Sequence, residues 1–382
     1  MSALTMRHLP GALSRTVAMF IKEFVQLRRD RLTFATMIFI PLMQLTLFGF
    51  AINTTPRHLP SAVLTYEETD VGRSILAALR NTSYFKINEV VHTEAEMDHL
   101  MRSGKILFGI EIPAGFERAV RRGDRPALLI AADASDPVAA GTALSALEGI
   151  VGTALARDRG LPDTIKSVPA FEIRQHRRYN PAADTSLNIV PGLLGVILTM
   201  TMLIFTALSV TREIERGTME SLLAMPIEPL EIMIGKITPY IAIGFIQAAL
   251  ILVFGRLMFG VPIAGNIWLL AGLSTLFIAT NLSIGYTFST IAQNQLQAIQ
   301  MSFMFFLPNI LLSGFMFPFA GMPAWAQAIG ELLPLTHFLR IVRGIMLKGA
   351  DFYDLRIEAL ALLALMLLAM TFAVRRFRRT LD

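Results

Sequence analysis

Apolar positions along this chain fall into long unbroken runs, separated by one extended stretch of mixed character. The first run, 32–52, is long enough to cross roughly 30 Å of hydrocarbon at about 1.5 Å per residue. Pro41 is expected to kink it, and Gln44 to face other helices, since an amide turned to lipid would lack partners. Five further runs, 187–210, 237–259, 268–290, 298–317 and 357–374, follow the same logic and bring the expected number of spans to six. Gly192, Gly195, Gly244, Gly272 and Gly285 recur within them, a pattern that lets helices approach closely where the hydrophobic effect cannot drive association.

Between the first and second runs the pattern changes period. From about 54 to 185, strand-like segments (62–66, 85–91, 106–112, 127–132) alternate with helical ones (71–81, 94–102, 113–122) in a βαβ-type rhythm. A longer helix, 138–157, and a basic strand, 171–178, lead back to the apolar runs. The fold class expected is therefore an α-helical polytopic membrane protein with six transmembrane helices, carrying an α/β extracytoplasmic domain inserted between the first and second spans.

Ahead of the first span, residues 11–30 place Leu13, Val17, Phe20, Phe24 and Leu27 at helical spacing, with Arg15, Lys22, Glu23, Gln26 and Arg29 elsewhere. Such a helix, basic on its polar face, suits the inner headgroup layer. The alternative, a soluble helix packed on a domain, has no preceding domain to pack on. The first apolar run is too long for a signal-peptide core and has no small-residue cleavage site behind it, so it reads as an uncleaved anchor.

Composition sharpens the class. Over 382 residues the chain is 54% hydrophobic with a mean hydropathy of +0.55, more apolar surface than an aqueous domain of this size needs. Cysteine is absent, which excludes disulfides and Cys-ligated metal sites. The net charge of +5 gathers at membrane edges and forms no aromatic-interleaved basic patch, so no nucleic-acid partner is expected. Arg28, Arg29 and Arg31, then Arg212, Arg216 and Lys236, then Arg375, Arg376, Arg378 and Arg379 all fall on one side of a six-span chain. Both termini are then cytoplasmic and the large domain outside. One segment disagrees: Arg340, Arg343 and Lys348 lie nominally outside. The stretch that holds them, 312–349, is broken by Gly314, Pro318, Gly321, Pro323, Gly330 and Pro334 and is too interrupted to span. Its pieces 324–332 and 335–347 read as short re-entrant helices, with Trp325 at the interface and the basic groups reaching outer headgroups or water.

Catalytic signatures are missing. No G-x-x-x-x-G-K-[ST] occurs, since Gly104-Lys105 and Gly235-Lys236 lack both the upstream glycine and the following hydroxyl, so the chain is not expected to hydrolyse ATP. Neither a G-x-S-x-G elbow nor an H-E-x-x-H helix is present. The pairs Asp133/Asp136 and His92/His99 lack a convergent third ligand, and no metal site is read from them.

The stretch with the most specific pattern is 212–226. Glu213 and Arg216 can pair on one helix face, Gly217 is free to turn the chain, and Thr218 is a plausible N-cap. Glu220 suits the positive end of a new helix, Leu222 and Leu223 share a face with Met219, and Pro226 ends the helix after about two turns. From the residues alone, a docking helix for a soluble partner and an ordinary polar loop are both open. The run Arg212-Glu213-x-Glu215-Arg216-Gly217-Thr218-x-Glu220-x-Leu222-Leu223-x-x-Pro226 closely resembles the coupling-helix motif of the ABC-2 family of ABC transporter permeases. Tyr179-Asn180-Pro181 before the second span resembles the subgroup with a large outer insert. Leu333-Pro334-Leu335-Thr336, Arg343-Gly344 and Lys348-Gly349 resemble the family's C-terminal signature, so the resemblance covers essentially the whole chain.

That resemblance implies a cytoplasmic interface helix in 1–31 (Lys22, Glu23, Arg28, Arg29), a first span at 32–53, the outer domain at 54–185, and a five-span domain at 186–382. The last includes the coupling helix at 218–226 and outer re-entrant helices at 319–349 (Pro318, Pro323, Trp325, Pro334, Arg343). It further implies an exporter in a bacterial inner membrane, moving a drug-like amphiphile, a lipid or a peptide out of the cytoplasm or inner leaflet. Two copies of an ABC ATPase subunit and a second permease copy or close paralogue would be partners beside the bilayer. No cofactor is bound by this chain, ATP and Mg belonging to the ATPase. The rival readings are a membrane-anchored sensor whose outer domain binds ligand without transport, which has no need of the 212–226 run, and an intramembrane enzyme, which the missing catalytic residues disfavour.

Overall fold

The computed structural model of the chain describes residues 57–151, 154–155, 170–182, 184–217 and 229–378. The expected interface helix, first span and coupling helix lie outside them. The α/β region runs β1 (Leu59–Thr65), α1 (Asp70–Asn81), β2 (Phe85–Val91), α2 (Glu94–Arg102), β3 (Phe108–Ile112), α3 (Phe116–Arg122), β4 (Ala127–Asp133), α4 (Pro137–Val151) and β5 (Glu172–Arg178). Local chemistry sets the boundaries. Thr69 Oγ1 accepts from Gly72 N at 3.1 Å ahead of α1. Thr93 accepts from Glu96 N while the Glu96 carboxylate accepts from His92 N, both at 3.2 Å, a reciprocal cap on α2. Helix α3 starts at Phe116, later than the expected 113, because Gly115 sits at φ 71°, outside helical geometry.

The strands form one sheet in the order β2-β1-β3-β4-β5. Strand β1 is parallel to β2 and β3, and β4 to β5, as a βαβ rhythm implies, but β3 and β4 are antiparallel. Leu59, Val63, Phe108 and Ile110 face one core with α1, α3 and α4. Ala62, Leu64 and Ala131 face the other, with Met97, Leu100 and Met101 of α2.

The remaining helices are α5 (Thr185–Glu215), α6 (Pro229–Phe259), α7 (Ile267–Ile291), α8 (Gln295–Leu312), α9 (Ala324–Gly330), α10 (Pro334–Lys348) and α11 (Phe352–Arg378), with a 3-10 turn at Phe319–Gly321. Among the described residues five helices, α5, α6, α7, α8 and α11, are long and apolar enough to cross a membrane. Helices α5 and α7 are the central pair, with α6 and α11 largely exposed around them. A Cβ on Gly285 would lie 2.8 Å from the Leu203 carbonyl, so the α5–α7 contact needs glycine there. Gly272 does not follow the expected pattern: it is exposed, and a Cβ placed on it would meet only open space. Helix α8 ends at Leu312 and not at 317, since Gly314 adopts φ 88°. The break then delivers α9 and α10, and α10 inserts Leu335, Phe338, Ile341 and Ile345 into the helical core, with Phe338 stacked on Phe277 at 4.0 Å.

Candidate functional site

Two ends of the helical bundle carry the chemistry. The sheet, the hairpin α9–α10 and the start of α11 lie at one end. The 31 residues of α5 rise about 46 Å to the other, where Arg212–Gly217 sit.

At this far end Arg212, Glu215, Arg216 and Gly217 are exposed and Glu213 is half-buried. Gly217, at φ 69°, terminates the helix in a left-handed turn. Glu215 takes Gln295 N at 2.7 Å on one oxygen and Gln295 Nε2 at 2.5 Å on the other, which ties the end of α5 to the start of α8. These hydrogen bonds, side chain first and backbone second, hold the Glu215 carboxyl below the usual glutamate range. Thr218, Glu220, Leu222, Leu223 and Pro226 lie outside the described residues, as do Lys22, Glu23, Arg28 and Arg29.

At the sheet end the prolines act as element starts: Pro318 precedes the 3-10 turn, Pro323 precedes α9, and Pro334 occupies the first turn of α10. Trp325 is exposed, 42% accessible. The basic residues behave differently from the expectation that they reach headgroups or water. Lys348 and Asp133 form an ion pair with side chains only 8% and 1% exposed. Arg340 binds Glu331 at 2.5 Å and Glu358 at 3.1 Å and lies over the Phe319 ring, 4.7 Å from its centroid. Arg343 donates to the Gly314 carbonyl at 3.1 Å. The apolar surroundings of α10 drive these cations toward carboxylates and carbonyls within the protein. Arg340 and Lys348 are neutralised there, so they do not count as free outer charge.

His337 completes the network. Its Nε2–H donates to the Glu331 carbonyl at 2.9 Å, while Nδ1 meets Glu358 Oε2 at 2.5 Å. A carboxylate facing Nδ1 asks it to donate as well, so this geometry suits the doubly protonated ring. Sequence reasoning missed Glu331, His337, Arg340 and Glu358 as a set. The available signal was His337 and Arg340 three apart on one helix, with Glu358 the carboxylate opening the last apolar run.

The sheet is joined to the bundle by Lys348–Asp133, by His99 to Asp354 at 3.3 Å, and by Tyr179, which packs against both cores. Burial first, and Asp133 second, push the Tyr179 hydroxyl up to about 12. Asn180 behind it is fully buried, giving Nδ2 to the Asp184 carbonyl at 2.9 Å and accepting from Asp184 N at 2.8 Å. Between sheet and hairpin lies a cavity of about 550 Å³. Asp133 is thus held by Lys348 and His99 lies against Asp354, and among the described residues no group of three or more His, Asp or Glu is placed to hold a metal ion.

A bundle of apolar helices, capped at one end by an α/β sheet and ending at the other in exposed charge, is that of a polytopic membrane protein. The chain belongs to the ABC-2 transporter family: residues 31–375 match the family described as ABC-2 family transporter protein. It is 30% identical over 373 residues to a probable multidrug ABC transporter permease, YbhS, of Escherichia coli (strain K12), covering 96% of this chain and 98% of the relative. It is also 30% identical over 393 residues to the inner membrane transport permease YhhJ of the same strain, covering 98% and 99%. Similarity to ABC transporter G family member 20 of Dictyostelium discoideum is 23% over 345 residues, 89% of this chain and 47% of that protein. The family is that of the permease subunits of ABC transporters, and membership implies an ABC ATPase partner.

Proposed function

We propose that this chain is the membrane-spanning subunit of a bacterial ABC-2 exporter, moving an amphiphile (a drug-like molecule, a lipid or a peptide) out of the cytoplasm or inner leaflet. Two permease chains, identical or closely paralogous, pair and engage two ATPase subunits, which bind the ATP and Mg. The relatives named as multidrug and inner membrane permeases support this substrate class and location. The single observation that carries the coupling is the Glu215–Gln295 tie, because the chain runs from it directly into 218–226. A partner that grips 218–226 pulls α5 and α8 together, so closure of the ATPase pair becomes rigid-body movement of two spans.

In this reading Glu220 and the Leu222-Leu223 pair are the partner's contacts, and Arg212, Glu213 and Arg216 flank them. Removing a buried anchor at an interface costs about 2 kcal/mol, roughly thirtyfold in affinity. Leu222→Ala with Leu223→Ala, and separately Glu220→Lys, are expected to reach the membrane in normal amount yet lose co-purification with the ATPase or ATP-driven export. Normal export and binding by both variants would reduce 212–226 to a loop and leave the sensor reading standing.

The six-span topology, with residues 32–53 as the first span, places both termini and 211–236 in the cytoplasm and the sheet outside. The chain lacks cysteine, so single cysteines report cleanly. An impermeant thiol reagent on intact spheroplasts should label Ser145→Cys, on the exposed face of α4, and spare Ser221→Cys; the reverse pattern inverts the orientation.

A further inference from the structure

The cavity between sheet and hairpin has a polar character that the transport reading does not use. Its wall includes Lys86, Arg102 and Lys105 from the sheet region, all exposed and without an ion pair among the described residues. From the turn that ends α8 come Ser313 and Gly314, and from α10 Arg343. Ser313 is buried and its Oγ has no hydrogen-bond partner; Arg343 Nε is likewise sealed from solvent without an acceptor. Such groups cost free energy unless something satisfies them, and both are able to donate.

The carboxylates lining the same cavity are otherwise engaged. Asp133 gives one oxygen to Lys348 and the other to Ser135 N. Glu358 is held by Arg340 and His337, and Asp354 faces His99. Asp136 accepts from Val138 N at the start of α4. Six Lys and Arg side chains line the cavity against four Asp and Glu, so positive charge is in excess by two. Apolar wall from Leu339, Leu355 and Ile357 lies on the bundle side, and the volume is in the range of pockets that enclose a small ligand.

We propose that this cavity is a binding site for a terminal phosphate, a monoester or inorganic phosphate carrying more negative charge than the choline-masked diester of phosphatidylcholine, with Arg343 and Ser313 on the inner wall and Lys86, Arg102 and Lys105 as the cationic mouth. Guanidinium and ammonium groups around a buried hydroxyl recognise phosphate oxygens by charge-assisted hydrogen bonds, and the apolar wall accommodates a short hydrocarbon portion. The phosphate could be supplied by a lipid headgroup or by a free anion. The inference goes beyond the export reading and stands without it, since the binding needs neither ATP nor an ATPase.

The test is isothermal titration of the full-length chain, purified in a neutral detergent, with dihexanoyl phosphatidic acid, with inorganic phosphate and with dihexanoyl phosphatidylcholine. Saturable binding of phosphatidic acid or of inorganic phosphate, at least tenfold tighter than phosphatidylcholine, is expected. A preference for phosphatidic acid assigns the lipid source and a preference for inorganic phosphate the free anion. The triple variant Lys86→Ala, Arg102→Ala, Lys105→Ala changes only exposed side chains, and it should weaken that binding at least tenfold with an unchanged melting temperature. Arg343→Gln should weaken it similarly. Absence of saturable binding, equal binding of phosphatidylcholine, or binding that the triple variant leaves intact overturns the proposal.

Discussion

The two ends of the helical bundle handle charge in opposite ways. At the sheet end Lys348, Arg340, His337, Glu358 and Asp133 are drawn into mutual contact, with the Lys348–Asp133 pair almost wholly enclosed. At the far end Arg212, Glu215 and Arg216 stay exposed, and Glu215 bonds to a neutral amide. Enclosed ions must find partners within the chain because desolvation is expensive; exposed ones remain free for a partner outside it. One end is therefore built as a joint between sheet and bundle, the other as a surface.

The largest effect should come from breaking the joint. Lys348→Met leaves Asp133 enclosed without its cation, a change that typically costs about 3–5 kcal/mol. The melting temperature of the purified chain should fall markedly, and Lys348→Met combined with Asp133→Leu should recover much of the loss. A single variant that melts like the wild type would show that the sheet is not held by this pair. At the opposite end the Leu222→Ala, Leu223→Ala variant should leave the melting temperature of the isolated permease unchanged while affecting the ATPase complex, which is the contrast in its sharpest form.

The smallest effect belongs to Glu215. Gln295 holds its carboxyl below the usual glutamate range, so the folded form favours the carboxylate. The sign is that of any depressed acid: the contribution is fully present above the unfolded value and is lost as pH falls through the lower folded value. Spin labels at Arg216→Cys and Gln293→Cys should report a closed α5–α8 contact through the ordinary glutamate range, opening only at more acid pH. Adding Gln295→Ala should move the opening up toward the ordinary range. The same midpoint with and without Gln295 would break the tie between the two helices.

Much of this architecture is legible in period and punctuation. The strand 85–91 and the helix 94–102 stand where alternation and the Thr93–Glu96 cap put them, and five apolar runs correspond to helices α5, α6, α7, α8 and α11. Pro334 likewise marks where α10 starts, since backbone geometry is local, whereas the run expected to reach 317 stops at Leu312 ahead of the left-handed Gly314. The antiparallel pairing of β3 with β4 was not legible, because a period-two pattern reads the same whichever way the strand runs. Gly272 misled for a related reason: a glycine's meaning depends on which helix lies opposite.

By itself, the sequence determined the class: long apolar runs, no cysteine, no nucleotide-binding loop, and the charged run at 212–226 whose residues carry the family resemblance. Only the tertiary structure decided what the basic residues of α10 do. Lys348 meets Asp133 across 215 positions of chain, and Arg340 meets Glu358 across 18. Such pairs have no period to read. They form because the fold removes these charges from water at a place where only an opposite charge from another element can compensate them.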